Sequence, residues 1–291
     1  IRMKKILLSL SAIAFAGVVA AGATGAFFSD TETSTGNTFA AGAIDLTVDN
    51  TSYYNASSSP NTSWTIRDLT VEKFFNFSDV KPGDDGEDTI SLHVNNNDSW
   101  LCADITLTSN NDNDCTEPEG SDELLNPDGS ATTTPSCSTT GELANHIQFM
   151  WWADDGDNVF EQGETTLPGT GGTLGALNIY ATTSVALADA SVNIWDGTGP
   201  IPADSGTRYI AKAWCFGNIA TSSLPVSAYN GPANDNNNDA VIDERDGGFT
   251  CSGASSANNV TQTDSMTADI SFYAVQSRNN TGFLCSERNP H

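Results

Sequence analysis

The chain has 291 residues, of which 38% are hydrophobic, and its 37 acidic and 11 basic side chains give a formal net charge of −26. This negative charge repels phosphate backbones and therefore excludes nucleic acid as a partner. The apolar content is sufficient for a packed core, which excludes a wholly disordered chain.

The first 26 residues have the features of an export signal. Two lysines precede an apolar run, and small residues end it, with Thr24 and Ala26 at the third and first positions before the cleavage point. The run is short for a membrane span, although an uncleaved anchor is the alternative. We therefore predict a signal peptide over 1–26, membrane contact only through this segment before cleavage, and a secreted mature chain over 27–291.

The mature chain opens with the segment 27–39, FFSDTETSTGNTF, in which two aromatic residues precede polar residues and β-forming threonines. A flexible segment of this kind, freed by cleavage, can add as a strand to an open sheet edge. Phe27 and Phe28 are then the anchors of this candidate donor strand. The alternative is that the segment folds back on its own domain as an ordinary first strand.

Eight segments of the mature chain have the composition of β-strands and are separated by turn-rich gaps. Several alternate apolar and polar residues, as Ile90, Leu92 and Val94 do, which is typical of a strand with one face on a core. No long segment shows the helical period. The predicted strands are 37–49, 69–80, 88–94, 100–109, 146–153, 174–187, 208–219 and 267–277.

This pattern predicts an all-β fold, a jelly-roll-like antiparallel β-sandwich with long acidic loop insertions. The predicted loops 110–141 and 229–262 are rich in Asn, Asp, Ser and Gly. No linker-like change of composition divides 27–291, so we predict one domain there, with two domains as the alternative.

The six cysteines all follow the signal, and an even number in an exported chain predicts three disulfides rather than a metal site. The sequence alone does not fix their pairing. We favour the local pair first, because it closes a Gly/Pro/Thr-rich loop, and then two longer-range pairs. The favoured pairs are Cys115 with Cys137, Cys215 with Cys251, and Cys102 with Cys285.

The first acidic loop, DNNNDAVIDERD (235–246), has the spacing of a calcium loop of EF-hand type, which surrounds one ion with about seven hard oxygens. It departs from that pattern at Ala240, where Gly is usual, and at its last position, where Glu is usual. A solvated acidic loop is the alternative. The predicted ligands are Asp235, Asn237, Asp239, the carbonyl of Val241, Asp243 and Asp246.

A second calcium loop is predicted in DDGDNVFEQGE (154–164), directly after the strand 146–153. It resembles calcium loops of bacterial surface β-sandwich repeats, although its first ligand position falls on Ala153. Asn158 is expected to take the left-handed conformation that Gly usually supplies. An ion there would hold the end of a strand, a structural role. The predicted ligands are Asp155, Asp157, the carbonyl of Val159, Glu161 and Glu164.

The runs AFFSDTETSTGNTFAAGAIDL (26–46) and DVKPGDDGEDTISLHV (79–94) resemble the TasA and camelysin family of secreted biofilm-fibre proteins, whose signals are cleaved by a SipW-type peptidase. The resemblance implies a jelly-roll subunit of extracellular fibres at the cell surface or in a biofilm matrix. In such fibres the N-terminal segment of one subunit completes the sheet of the next, so the partner is another copy of the chain, head to tail, beside matrix or cell-wall polymers. The six cysteines and long acidic loops depart from the best-known members.

Camelysin-like proteins have been assigned to a metallopeptidase class, which makes peptidase activity an alternative. His93, His146 and His291 do not form an H-E-x-x-H motif, and no G-x-S-x-G motif occurs. We therefore predict a non-enzymatic protein with no catalytic residues. A calcium-stabilised cell-surface adhesion or binding module is the other alternative.

Overall fold

The computed structural model describes residues 44–116, 118–119, 140–167, 172–173, 182–226, 229, 231–253 and 259–288. Strands dominate this part of the chain, with the four-residue helix α1 (Leu143–His146) and short 3₁₀ turns between them. No helix in these ranges is long and apolar enough to cross a membrane. The strands are β1 (Asp45–Tyr54), β2 (Ser57–Ser58), β3 (Trp64–Arg67), β4 (Asp85–Asn95), β5 (Ser99–Asn111), β6 (Ile147–Asp154), β7 (Gly172–Thr173), β8 (Thr183–Ala188), β9 (Thr207–Phe216), β10 (Asn218–Thr221), β11 (Phe249–Ser252) and β12 (Ser265–Gln276); the 3₁₀ turns are Pro60–Thr62, Glu244–Gly247, Asn259–Thr261 and Cys285–Glu287.

Two antiparallel sheets form the sandwich. The larger sheet has seven strands in the order β2-β1-β4-β9-β6-β7, with β3 also paired to β1, and the smaller sheet has the order β12-β5-β8. A separate hairpin joins β10 and β11. This arrangement confirms the predicted all-β, jelly-roll-like antiparallel sandwich.

The core lies between the two sheets because their strands alternate as predicted. Ile90 and Leu92 of β4 are fully buried, and Ile90 lies opposite Ile210 of β9. Leu101 and Leu107 of β5 cover them from the smaller sheet. Burial of each such side chain contributes about 1.5–3 kcal/mol, so this layer supplies the main driving force for folding.

The predicted strand 69–80 is wrong, because this segment forms no strand. The segment is held by its aromatic side chains and not by backbone pairing. Phe74 is buried, and Phe77 stacks on Tyr54 with ring centroids 5.0 Å apart. The predicted strand 208–219 is interrupted at Gly217, whose φ of +141° ends β9 before β10 begins. Period-two patterns therefore located apolar segments correctly but did not show which of them pair.

Two predicted disulfides are confirmed. Cys102 of β5 is bonded to Cys285, and Cys215 of β9 is bonded to Cys251 of β11. Cys115 is also disulfide-bonded, whereas its predicted partner Cys137 lies outside the described residues. The first bond ties the C-terminal turn to the smaller sheet, and the second ties the hairpin to the larger sheet.

Removing these two bonds should destabilise the protein to different extents. The sequence separations are 183 residues for Cys102–Cys285 and 36 for Cys215–Cys251. In the chain-entropy model the double replacement by alanine should then lower the free energy of unfolding by about 5 kcal/mol for the first pair and about 4 kcal/mol for the second. Denaturant unfolding of both double variants measures the difference, and a larger loss for the shorter loop would contradict the ranking.

Candidate functional site

Two acidic loops, 154–164 and 235–246, lie against the face of the larger sheet that points away from the core. We call them the paired loops. The first continues from β6, and the second leads into β11 through a 3₁₀ turn. The N–H of Phe160 donates to the carbonyl of Gly247 at 2.9 Å, which places the loops side by side. The sequence predicted each loop separately and did not predict that they meet.

Glu87 of β4 lies beneath both loops and is 1% exposed. Its Oε2 accepts a hydrogen bond from Nδ2 of Asn158 at 3.2 Å, and its carboxyl group occupies the space that a side chain at Gly247 would need. Burial raises the pKa of Glu87 well above its usual range, and neighbouring carboxylates of β4 and of both loops add to this effect. The site therefore favours the neutral form of Glu87.

The first loop brings three carboxylates together. One oxygen each of Asp154, Asp155 and Asp157 lies within 4.8 Å of the others. Asp154 is the residue that the sequence analysis missed as a ligand: its Oδ2 accepts the N–H groups of Gly156 (2.9 Å) and Asn158 (3.1 Å). It lies next to Ala153, where the spacing lacked a first ligand, so a one-residue shift in the pattern could have identified it.

The conformation of this loop follows the calcium-loop prediction. Asn158 has a φ of +63°, which confirms the predicted left-handed conformation, and Gly156 has a φ of +118°. The N–H of Val159 donates to Oδ1 of Asp157 at 2.9 Å, and the N–H of Glu161 donates to Oε2 of Glu164 at 2.8 Å. Neither glutamate belongs to the group of three aspartates whose oxygens lie within 4.8 Å of one another.

The oxygens of the first loop fit a calcium ion, which prefers hard oxygen ligands. A second observation agrees with this: Asn158 is 1% exposed, and its Oδ1 is buried with no hydrogen-bond partner. A buried oxygen without a partner is costly, and a cation beside it would remove that cost. The described residues therefore offer Asp155 and Asp157 from the predicted set, together with Asp154.

Crowding and burial raise the pKa values of this loop. Burial is the largest cause for each group, and it raises the pKa of Asp154 to about 6, of Asp157 to about 7 and of Glu164 to about 8. The charges of neighbouring loop carboxylates, Asp155 among them, raise all three further. Protons and a divalent cation relieve the same repulsion, so they should compete for these oxygens.

The second loop is held by its own hydrogen bonds. Oδ1 and Oδ2 of Asp235 accept the N–H groups of Asp239 (3.0 Å) and Ala240 (3.1 Å). Oδ1 of Asn237 accepts the Asp239 N–H at 2.9 Å, and the N–H of Val241 donates to Asp239. Ala240 has a φ of +68°, so it occupies the left-handed position that Gly normally fills in such a loop. The backbone is therefore that of a tight acidic turn.

The remaining predicted ligands of this loop already have partners. Asp246 is fully buried; it accepts backbone N–H groups of Asn236 (2.7 Å) and Asp243 (3.0 Å) through its two oxygens. Arg245 forms ion pairs with Asp239 at 2.8 Å and with Asp243 at 2.5 Å. A guanidinium group thus neutralises two of the predicted ligands, and calcium binding by this loop stays a prediction.

A third group of acids was not predicted. One oxygen each of Asp112, Glu119 and Asp264 lies within 4.8 Å of the others. Oδ2 of Asp264 accepts the N–H groups of Glu142 (2.6 Å) and Leu143 (2.9 Å), so this carboxylate caps the start of α1. Asp264 is distant in the chain from Asp112 and Glu119, and no spacing rule could have joined them. We assign Asp264 a capping role.

Neither described histidine belongs to one of these groups of acids, although His146 lies near Asp264. His93 Nε2 lies 2.7 Å from Oδ2 of Asp49 on the neighbouring strand β1. His146 ends α1, where burial lowers its pKa. Within the described ranges no group of three potential metal ligands contains either histidine, and His291 lies outside those ranges.

Strand β12 forms one edge of the smaller sheet. Among the described residues it pairs only with β5, whereas the opposite edge strand β8 is partly covered by the N–H of Ile194, which donates to Leu187. At the start of β12, where Ser265 and Met266 line it, lies a groove of about 910 Å³ between the two sheets and the irregular segment 69–80. Apolar side chains from all three line it, including Phe75, Phe77, Phe149, Trp214 and Met266. The predicted donor anchors Phe27 and Phe28 lie outside the described residues.

Comparison with protein-family models and with curated proteins gives no match to this chain. The resemblance to the TasA and camelysin family therefore stands on the two sequence motifs alone.

Calcium should stabilise the protein through the first of the paired loops. A ligand that binds only the folded state adds about 2.7 kcal/mol at a hundredfold excess over its Kd, which should raise the melting temperature. Asp157→Asn should abolish most of this increase, whereas the matched change Asp235→Asn in the second loop tests that loop separately. Melting curves with calcium and with chelator give the result; coincident wild-type curves would remove both loops as calcium sites.

Acidification should stabilise the calcium-free protein between about pH 8 and pH 5. The raised pKa values of Asp154, Asp157 and Glu164 mean that the folded state binds more protons than the unfolded state in this range, so stability falls as pH rises. Calcium should reduce this fall, because it replaces the protons. Melting temperatures in chelator across this range provide the measurement, and a stability that increases with pH would contradict the assignment.

Proposed function

We propose that this chain is a secreted structural subunit of extracellular fibres or of a biofilm matrix, and that subunits join head to tail by donor-strand addition. One observation supports it most strongly: within the described part of the chain one edge of β12 is unpaired, and an apolar groove lies at the start of this strand. The segment 27–39 has the length and composition to occupy that groove. The sequence resemblance to the TasA and camelysin family supports the same role.

The inward face of β12 is incompletely covered. Ile270 and Phe272 are only half-buried, although Ile105 and Ala103, their partners on β5, are buried. An edge strand that exposes part of its apolar face and a row of backbone N–H and C=O groups is a template for another strand. One added strand would bury this face and satisfy those groups.

The occupant that fits is the N-terminal segment of a second copy. Segment 27–39 is close in length to the 12 residues of β12. In a strand its side chains alternate, so Phe27, Thr31 and Thr33 share one face, whereas Phe28, Asp30 and Glu32 lie on the other. The first face suits the apolar groove with Phe27 as its anchor, Asp30 and Glu32 would remain in water, and Phe28 would pack at the end of the added strand.

Cleavage of the signal controls assembly in this proposal. Before cleavage Phe27 is attached to the apolar segment 1–26 and remains at the membrane. After cleavage the free end reaches the groove of a neighbour, and each subunit offers one donor and one acceptor. Such a heterologous contact builds filaments rather than closed dimers. The disulfides of the described part are compatible with an oxidising, extracellular location.

Calcium enters the proposal as a structural cofactor of the loop 154–164. This loop begins at the last residue of β6, and β6 pairs with β9 in the larger sheet. An ion held by Asp155 and Asp157 would fix the end of that strand and reduce repulsion within a chain of net charge −26. A calcium-stabilised adhesion module would use the same ion, and the assembly experiment below separates the two functions.

Deleting Phe27–Thr35 should leave a folded, disulfide-bonded monomer that does not elongate, and Phe27→Asp combined with Phe28→Asp should have the same effect. The reason is that the donor strand and its anchors are lost, whereas the sandwich is intact. Electron microscopy and light scattering of protein that begins at Phe27 measure assembly, and melting curves monitor the fold. Unchanged filaments, or a deletion that unfolds the monomer, would contradict the proposal.

The acceptor side has a matched pair of variants. Met266→Glu places a charge in the groove, whereas Ser271→Glu places it on the exposed face of the same strand. An unpaired charge facing a buried aromatic should weaken subunit binding at least about tenfold. Ser271→Glu should assemble normally. Equal behaviour of the two variants would show that the groove does not accept the donor.

A further inference from the structure

Lys212 and Asp88 face each other inside the larger sheet. They are directly opposite in the register of β9 and β4, on the face that also carries Ile210 and Ile90. Nζ of Lys212 lies 2.5 Å from Oδ2 of Asp88, and the two side chains are 0% and 1% exposed. This is an amine and a carboxyl group held in contact within the hydrophobic core.

The surroundings of this pair are apolar and closed. The rings of Phe74 and Phe75 lie with their centroids 5.9 Å and 5.4 Å from Nζ, and Nζ also donates to the carbonyl of Phe74 at 3.4 Å. Trp151 of β6, itself buried, is the register partner of Lys212 on the other side. Water is therefore excluded from the two reactive groups.

The contact does not have the angles of an ordinary hydrogen bond. Oδ2 of Asp88 accepts no hydrogen bond, although Nζ is 2.5 Å from it. The other oxygen, Oδ1, accepts a hydrogen bond from Nδ2 of Asn50 at 3.0 Å, and Asn50 is itself fixed by donating to the carbonyl of Thr62 at 2.7 Å. One carboxylate oxygen is thus polarised by an amide, and the other faces the amine.

Amide formation starts from the neutral pair, because an ammonium group is not a nucleophile. One proton passed from Nζ to Oδ2 gives a neutral amine beside a neutral carboxylic acid, and this step removes two charges whose burial in an apolar core is costly. Holding these two groups in contact replaces a bimolecular encounter with an intramolecular step, which raises the effective concentration by orders of magnitude.

We propose that Lys212 and Asp88 are joined by an amide bond between their side chains. The neutral amine attacks Cγ of Asp88, so the Nζ–Cγ bond forms. A second proton then passes from Nζ to Oδ2, the Cγ–Oδ2 bond breaks, and Oδ2 leaves as water. Asn50 stabilises the negative charge that develops on Oδ1 during the attack. No oxidant or reductant is needed, because the step only releases water.

This cross-link is independent of the proposed fibre function. It would connect β4 and β9 covalently, in addition to their backbone ladder, and would persist when the disulfides are reduced. It would also replace a buried ion pair with a neutral amide. In a fibre, such a bond would resist mechanical separation of these two strands.

The test is mass spectrometry of the secreted wild-type protein, denatured, reduced and alkylated. We expect an intact mass lower by one water molecule than the mass calculated from the N-terminus found in the same digest. Proteolysis should yield a branched peptide that joins the segments around Lys212 and Asp88. A full-length mass without this loss, or the absence of a branched peptide, overturns the proposal without any variant.

Variants identify the chemistry. Lys212→Ala and Asp88→Ala should each give the full mass calculated for the variant, and so should Asp88→Asn, because it lacks the carboxylate oxygen that accepts the protons of Nζ. Asn50→Ala should lower the cross-linked fraction in the same period. Lys81 and Asp79 provide a matched control, since they form an exposed ion pair of 2.7 Å and should give no branched peptide. A water loss that persists in Lys212→Ala would show that another site carries it.

Discussion

The structure depends on the burial of carboxyl groups on both faces of one central strand. β4 lies between β1 and β9, and its alternation points Glu87 towards the paired loops and Asp88 towards the core. A buried charge without a partner costs several kcal/mol of folding free energy, so each of these carboxyl groups must either have a partner or be neutral. Asp88 meets Lys212, whereas Glu87 is held in its neutral form and accepts from Asn158.

The paired loops form a second layer on the larger sheet because they bury both apolar and polar groups there. Trp152 of β6 packs edge-on against Phe160 of the first loop, with ring centroids 5.5 Å apart. Close backbone approach requires glycine at Gly248, where a side chain would collide with the Phe160 carbonyl. The disulfide from Cys215 to Cys251 holds the end of this layer on β9. A cation in the first loop would therefore act on the large sheet through contacts that already exist.

The smaller sheet contrasts with the larger one in its edges. β8 is partly covered by the chain that follows it, whereas β12 is bordered by a groove and by the irregular segment 69–80. The aromatic residues of that segment pack against the sheet: the ring centroids of Phe74 and Phe272 are 6.0 Å apart. The backbone of the segment does not join the sheet. Among the described residues the smaller sheet is therefore asymmetric, with one partly covered edge and one unpaired edge.

The sequence by itself determined the all-β class, the apolar faces of β4 and β12, the expectation of disulfides and the left-handed Asn158. These features follow from side-chain period, cysteine count and turn chemistry, which do not require knowledge of the tertiary contacts. Only the tertiary structure decided that Cys102 pairs with Cys285 and Cys215 with Cys251, that the paired loops meet over Glu87, that Asp154 joins the ligand group, and that Asp88 lies opposite Lys212. Strand order and register bring residues far apart in the chain into contact, and a periodic pattern shows which face a residue is on but not which strand lies beside it.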